Sequence, residues 1–119
     1  MLVIDGLDIH LTRGDTAFIE VTPTNEDGSP YEMQEGDKIF FRLKRKSTDD
    51  TVICEKEVDA VSMTLQIDPE DTEPCQNGKD YRYEFELVTA AGYHFTFIED
   101  QLFHIGVELE VHVDEPTGE

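Results

Sequence analysis

The residues best suited to chemistry in this chain are its 4 histidines, 2 cysteines and 28 carboxylates. A strand-borne metal site needs a His-x-His pair, a glutamate soon after it and a later histidine. His94, Glu99 and His104 can be laid along that pattern, but the paired histidine is missing. His10, His94, His104 and His112 each stand singly on a strand face that reads as solvent-facing. They are therefore expected to be ordinary surface histidines, not metal ligands. The carboxylates are too numerous for any pair to stand out as general acid and base. Ser29, Ser47 and Ser62 lie outside any nucleophile elbow, and no glycine-rich loop is present to cradle a phosphate. No catalytic residue, no metal and no cofactor is expected, and the chain reads as a non-enzyme.

Two shorter motifs also read as structure. Arg13-Gly14-Asp15 is an adhesion-type tripeptide, but Gly-Asp before a strand is ordinary turn chemistry. Asn25 to Pro30 is rich in acid, yet its spacing does not match a calcium-binding EF-hand loop, and it reads as a plain hairpin loop. Cys54 and Cys75 lack a CxxC partner and electropositive sequence neighbours. Neither lies on the second or sixth strand, which the immunoglobulin disulfide would join. Free thiols in a reducing compartment are the expectation, with a mutual disulfide as the alternative.

The charge is strongly one-sided, -19 from 28 acids against 9 bases. Such a field repels phosphate backbones, so nucleic acid is not an expected partner. The bases cluster, however, at Lys38, Arg42, Lys44, Arg45 and Lys46. With Phe40 on the same strand face, these residues form the candidate protein-interaction patch, able to meet the acidic surface of a neighbouring copy. The plainer reading is a solvated hairpin end. No apolar run approaches the roughly 20 residues of a membrane helix. The first residues lack a basic start and a long apolar stretch, so no signal peptide and a cytoplasmic site of synthesis are expected.

The elements that would position these groups are short strands. Leu7, Ile9 and Leu11 alternate with Asp8, His10 and Thr12. A second strand is expected over Thr16 to Thr22, a third over Lys38 to Lys44, and others near Val52 to Val58 and Ser62 to Ile67. Tyr81, Tyr83, Phe85 and Leu87 alternate strictly with Arg82, Glu84 and Glu86, the clearest strand of all. Before it, Asp68 and Pro69 open one helical turn near residues 69–73, and Asn77-Gly78 reverses the chain. Thr89 to Gly92 is a tight hairpin into Tyr93, Phe95 and Phe97. Glu99-Asp100 is expected to turn towards Leu102, Phe103 and Ile105. A last strand is expected over Val107 to Val113, followed by a flexible acidic tail at 114–119. Strands at intervals of roughly ten residues predict one all-β domain over 1–113, an immunoglobulin-like antiparallel β-sandwich.

Five motifs occur in a specific order: Thr12-Arg-Gly-Asp-Thr-Ala17, Gly36-Asp-Lys-Ile-Phe-Phe41, Ile67-Asp-Pro-Glu-Asp-Thr72, Tyr81-Arg-Tyr-Glu-Phe-Glu-Leu87 and Ala91-Gly92. Over residues 7–113 the chain resembles a small β-sandwich domain of prophages of Gram-positive bacteria. It is similar to the N-terminal, immunoglobulin-like domain of phage baseplate upper proteins. The resemblance implies a virion structural protein of the tail or baseplate, made in the bacterial cytoplasm and carried into the virion. Its implied partners are other phage structural proteins, with homo-oligomers possible and no membrane involved. With no long extension for a stalk, an adaptor, accessory or decoration role is expected. The alternative is a bacterial cell-surface or carbohydrate-binding sandwich, in which Tyr31 or Tyr93 would stack on a sugar.

Overall fold

A computed structural model describes residues 2–46 and 48–107. The expected last strand and the acidic tail lie outside the described residues from residue 108 on. The strands are β1 (Leu2–Asp5), β2 (Asp8–Thr12), β3 (Ala17–Glu20), β4 (Lys38–Lys44), β5 (Cys54–Glu57), β6 (Thr64–Ile67), β7 (Asp80–Val88) and β8 (His94–Gly106), with α1 (Pro69–Thr72) between β6 and β7. They form a six-stranded sheet in the order β1-β2-β8-β7-β4-β5 and a two-stranded sheet of β3 and β6. The fold is the all-β sandwich expected. Its strand pairs are antiparallel except β2 with β8, which run parallel.

Alternation decides which face is buried. On β7, Tyr81, Tyr83, Phe85 and Leu87 are buried, and Arg82, Glu84 and Glu86 point outwards. Ile39, Phe41 and Leu43 of β4 lie opposite Leu87, Phe85 and Tyr83 in the ladder, so the two apolar sets share one face. Ala17 and Ile19 of β3, with Leu65 and Ile67 of β6, complete a single core with them. Phe41 is at its centre, with its ring 5.9 Å from Tyr83, 5.4 Å from Phe85 and 6.0 Å from Phe103. Tilted pairs of this kind add about 0.5–1.5 kcal/mol each beyond the area they bury.

The corner between β6 and β7 is tied on both sides. The Asp68 backbone N–H donates to Asp71 Oδ2 at 2.7 Å, so the helical turn closes on itself. From the turn after β2, the Arg13 guanidinium donates to the carbonyls of Glu73 and Cys75 at 2.7 and 2.9 Å. The Gly14 N–H donates to Thr72 Oγ1 at 2.9 Å. Arg13 thus works as a strap between two turns.

Three expectations need correction. Leu2–Asp5 forms an edge strand, joined to β2 by the two-residue loop Gly6-Leu7. Gly6 takes φ +62°, the left-handed conformation a tight hairpin needs at its first central residue. Leu7 therefore belongs to the turn and not to the strand face of Ile9 and Leu11. Second, Glu99-Asp100 does not turn the chain, because β8 continues through it for 13 residues. Asp100 takes φ +52°, and the ladder slips near Tyr83 and Phe85. The extra residues are absorbed as bulges, which bend a strand without ending it. Ile98 consequently pairs with Phe85 and joins the core side, where simple alternation had placed it opposite Phe95. Third, the parallel β2–β8 pair departs from an all-antiparallel sandwich.

Candidate interaction surface

The outer face of the large sheet carries part of the expected patch, and two of its five bases, Arg42 and Lys44, are spent within the domain. Arg42 Nε reaches Glu55 Oε2 at 2.6 Å, Nη1 reaches Glu84 Oε2 at 3.2 Å, and Nη2 reaches Glu86 Oε1 at 2.9 Å. Burial opposes the Arg42 charge, yet the carboxylates of Glu55, Glu86 and Glu84 outweigh it and hold the guanidinium firmly protonated. Lys44 Nζ lies 3.7 Å from Glu84. The Arg42 guanidinium carbon stands 5.9 Å from the centre of the Phe40 ring, and Phe40 is half-buried. Phe40 therefore covers the sheet beneath a cation. Lys38, Arg45 and Lys46 are exposed and make no ion pair among the described residues. They sit at opposite ends of β4, about 20 Å apart at a strand's rise per residue. Of the six patch residues, three are free cations at two separate places and three form a neutralised ladder.

The same ladder continues to His94, whose Nδ1 lies 3.1 Å from Glu86 Oε2. Burial resists ionisation of Glu86, but Arg42 and His94 prevail and its carboxyl is held below the usual range. Further along the outer face, His10, His104 and Asp80 stand in a row across β2, β8 and β7. His104 Nδ1 is 2.6 Å from Asp80 Oδ1, and the His10 and His104 ring centres are 5.6 Å apart. Two of the histidines are thus neighbours, although in sequence each stands alone. Among the described residues no group of three His, Cys, Asp or Glu side chains is placed to hold a metal ion.

Exposed apolar side chains lie elsewhere. Strand β2 pairs only with Phe103 to Gly106 of β8, so among the described residues His94 to Leu102 form an open sheet edge. Phe95 lies opposite buried Leu87 and thus points to the core side, yet it remains 55% exposed. Tyr93 beside it is 67% exposed, while Phe97 stacks on Phe85 at 6.0 Å. Apart from a single bridge of Asp59 to Thr64, strands β3 and β6 pair only with each other, leaving two further largely open edges among the described residues. Beside β6 runs an open groove of about 580 Å³ lined by Phe18, Lys56, Val58, Asp59, Thr64 and Gln66. Periodicity in the sequence identified Phe95, but its exposure depends on β2 pairing so late along β8.

Tyr31, one of the two candidate sugar-stacking residues, is half-buried and donates from its hydroxyl to Asp37 Oδ2 at 2.6 Å. Both cysteines are free. No helix among the described residues is long and apolar enough to cross a membrane. Comparison of the chain with protein-family models, curated proteins and solved structures finds no match.

Proposed function

We propose that this chain is a non-catalytic structural module of a phage or prophage tail or baseplate, acting through protein–protein assembly. Its partners would be other phage structural proteins and its own copies, and its final location the virion. The observation that carries the reading is the β8 edge from His94 to Leu102, with Phe95 55% exposed on it. An open strand edge offers a row of backbone donors and acceptors to an incoming strand, and an apolar side chain beside it adds area to bury. The phage assignment itself rests on the ordered motifs described above.

Mass in solution tests the assembly, measured by light scattering across concentration at low and high salt. Association that survives salt and is lost in Phe95→Ser supports docking through the β8 edge. Association lost in salt but retained in Phe95→Ser transfers the contact to Lys38, Arg45 and Lys46, since exposed charges are screened. A strict monomer under all conditions overturns self-assembly. A second reading, a cell-surface or carbohydrate-binding module, draws on the exposed Tyr93 ring, which is available to stack on a sugar. Saturable perturbation of Tyr93 by glycans in solution would favour it.

A further inference from the structure

We propose that His10 and His104 form a two-histidine binding site for a divalent transition-metal ion of the zinc class, oriented by Asp80. The parallel pairing of β2 and β8 puts the two residues at the same level on adjacent strands. Their neighbours Ile9, Leu11, Phe103 and Ile105 are buried, so both imidazoles lie on the outer face of the sheet. Two imidazoles that share one tetrahedral ion at metal–nitrogen distances of about 2.0–2.1 Å hold their ring centres roughly 5 Å apart. The observed separation is 5.6 Å with the ring planes tilted by 49°, close to that span.

The third residue gives the pair its chemical sense. Asp80 Oδ1 lies 2.6 Å from His104 Nδ1, which places the proton of the neutral ring on Nδ1. The Nε2 lone pair is then free to bind a metal, and the carboxylate fixes the orientation of the ring. This is the carboxylate–histidine arrangement found behind many zinc ligands. The His104 side chain is 33% exposed and Asp80 67%, so an ion can reach the site from solvent. The excess of acid, a net charge of -19, concentrates cations near the surface. With two protein ligands, water fills the remaining positions. This inference does not depend on the assembly proposed above.

Zinc titration of the full chain by calorimetry near neutral pH tests it. One ion per chain is expected, with binding lost in His10→Ala and in His104→Ala. Binding weakens about 10-fold or more in Asp80→Asn, the usual effect of removing a carboxylate behind a ligand. His94→Ala, whose histidine lies elsewhere on the sheet, retains binding. In the unaltered protein, zinc shifts the imidazole proton resonances of His10 and His104 in NMR spectra and leaves those of His94 in place, which guards against misfolded variants. No zinc uptake, or uptake undiminished in both histidine variants, overturns the site and assigns any bound ion to the acids or thiols.

Discussion

The Tyr81 hydroxyl accepts a hydrogen bond from the Gln76 backbone N–H at 2.9 Å, closing the corner where the chain passes from the small sheet to the large one. Tyr81 opens β7, and its ring is buried while its oxygen reaches back five residues. This is the tyrosine corner of immunoglobulin-like sandwiches, and it occurs here in a domain whose cysteines are unbridged. Removing the hydroxyl leaves the ring packing intact and deprives one N–H of its acceptor. Tyr81→Phe is therefore expected to cost about 1 kcal/mol, or roughly 4 °C in unfolding midpoint for a domain of this size. Thermal unfolding checks it, and an unchanged midpoint would show that water replaces the hydroxyl without loss.

A second knot is at the other end of the sandwich. Buried Asp37 accepts from the Tyr31 hydroxyl at 2.6 Å, the Gln34 N–H at 3.0 Å and the Ala90 N–H at 3.1 Å. These bonds, that of Tyr31 foremost, favour the ionised form and hold the carboxyl below its usual range. A group depressed in the folded state stabilises above its unfolded pKa of about 3.9, and that contribution fades as pH falls through the folded value. Asp37→Asn is thus expected to lower the unfolding midpoint near neutral pH, with the deficit shrinking in strong acid. A deficit that stays constant across pH would mean that the charge of Asp37 contributes nothing.

Gly36 shows how tightly that knot is packed. It takes φ +90°, and a Cβ added there would lie 2.8 Å from Ala90 Cβ. Backbone conformation and space both reject a side chain, so Gly36→Ala should cost about 2 kcal/mol. Ala90→Gly in the same chain should recover only the steric part, which a double-mutant cycle in urea measures.

Arg42 bridges three glutamates on the outer face, so its loss should leave Glu55, Glu84 and Glu86 repelling one another with less to offset them. Arg42→Ala is expected to destabilise by about 1–2 kcal/mol at low salt. Salt at about 1 M should reduce that loss by screening the freed carboxylates. Urea unfolding at the two salt concentrations separates this from lost packing over Phe40, which salt does not restore.

What the sequence made legible follows the range of its signals. Alternation along Lys38 to Lys44 and Tyr81 to Leu87 located the two central strands, and Asp68-Pro69 located the helical turn, because each pattern is local. Leu2–Asp5 is too short to show a period, and the register slip between Thr96 and Ile98, which brings Ile98 opposite Phe85, carries no breaker residue. The patch on β4 was visible as a cluster of bases, but not its neutralisation, since Glu84 and Glu86 come from another strand. His10 and His104 meet only because β2 and β8 pair in parallel, a relation between residues 94 positions apart that no local pattern encodes.

The cysteines give the last prediction. Cys54, on β5, has its thiol pushed up to about 12 by burial and by the Asp71 carboxylate, and burial also raises Cys75. Only the thiolate attacks an alkylating reagent, and a thiol of pKa near 12 is ionised to about one part in ten thousand at pH 8, against roughly a quarter for a free cysteine. Lys56, on the same strand, favours the thiolate and offsets part of this rise, while its ammonium is held by Asp71 at 2.6 Å and Asp68 at 3.0 Å. Alkylation of the folded protein at pH 8 should therefore be slow at both positions and become fast in denaturing urea. Lys56 holds β5 to the α1 corner, so Lys56→Met should leave Cys54 under the Asp71 charge alone and slow its alkylation further, unless the strap's loss frees β5. Mass spectrometry of partially alkylated protein distinguishes the two: faster labelling confined to Cys54 would show that the Lys56 strap, and not the pKa, protects that thiol.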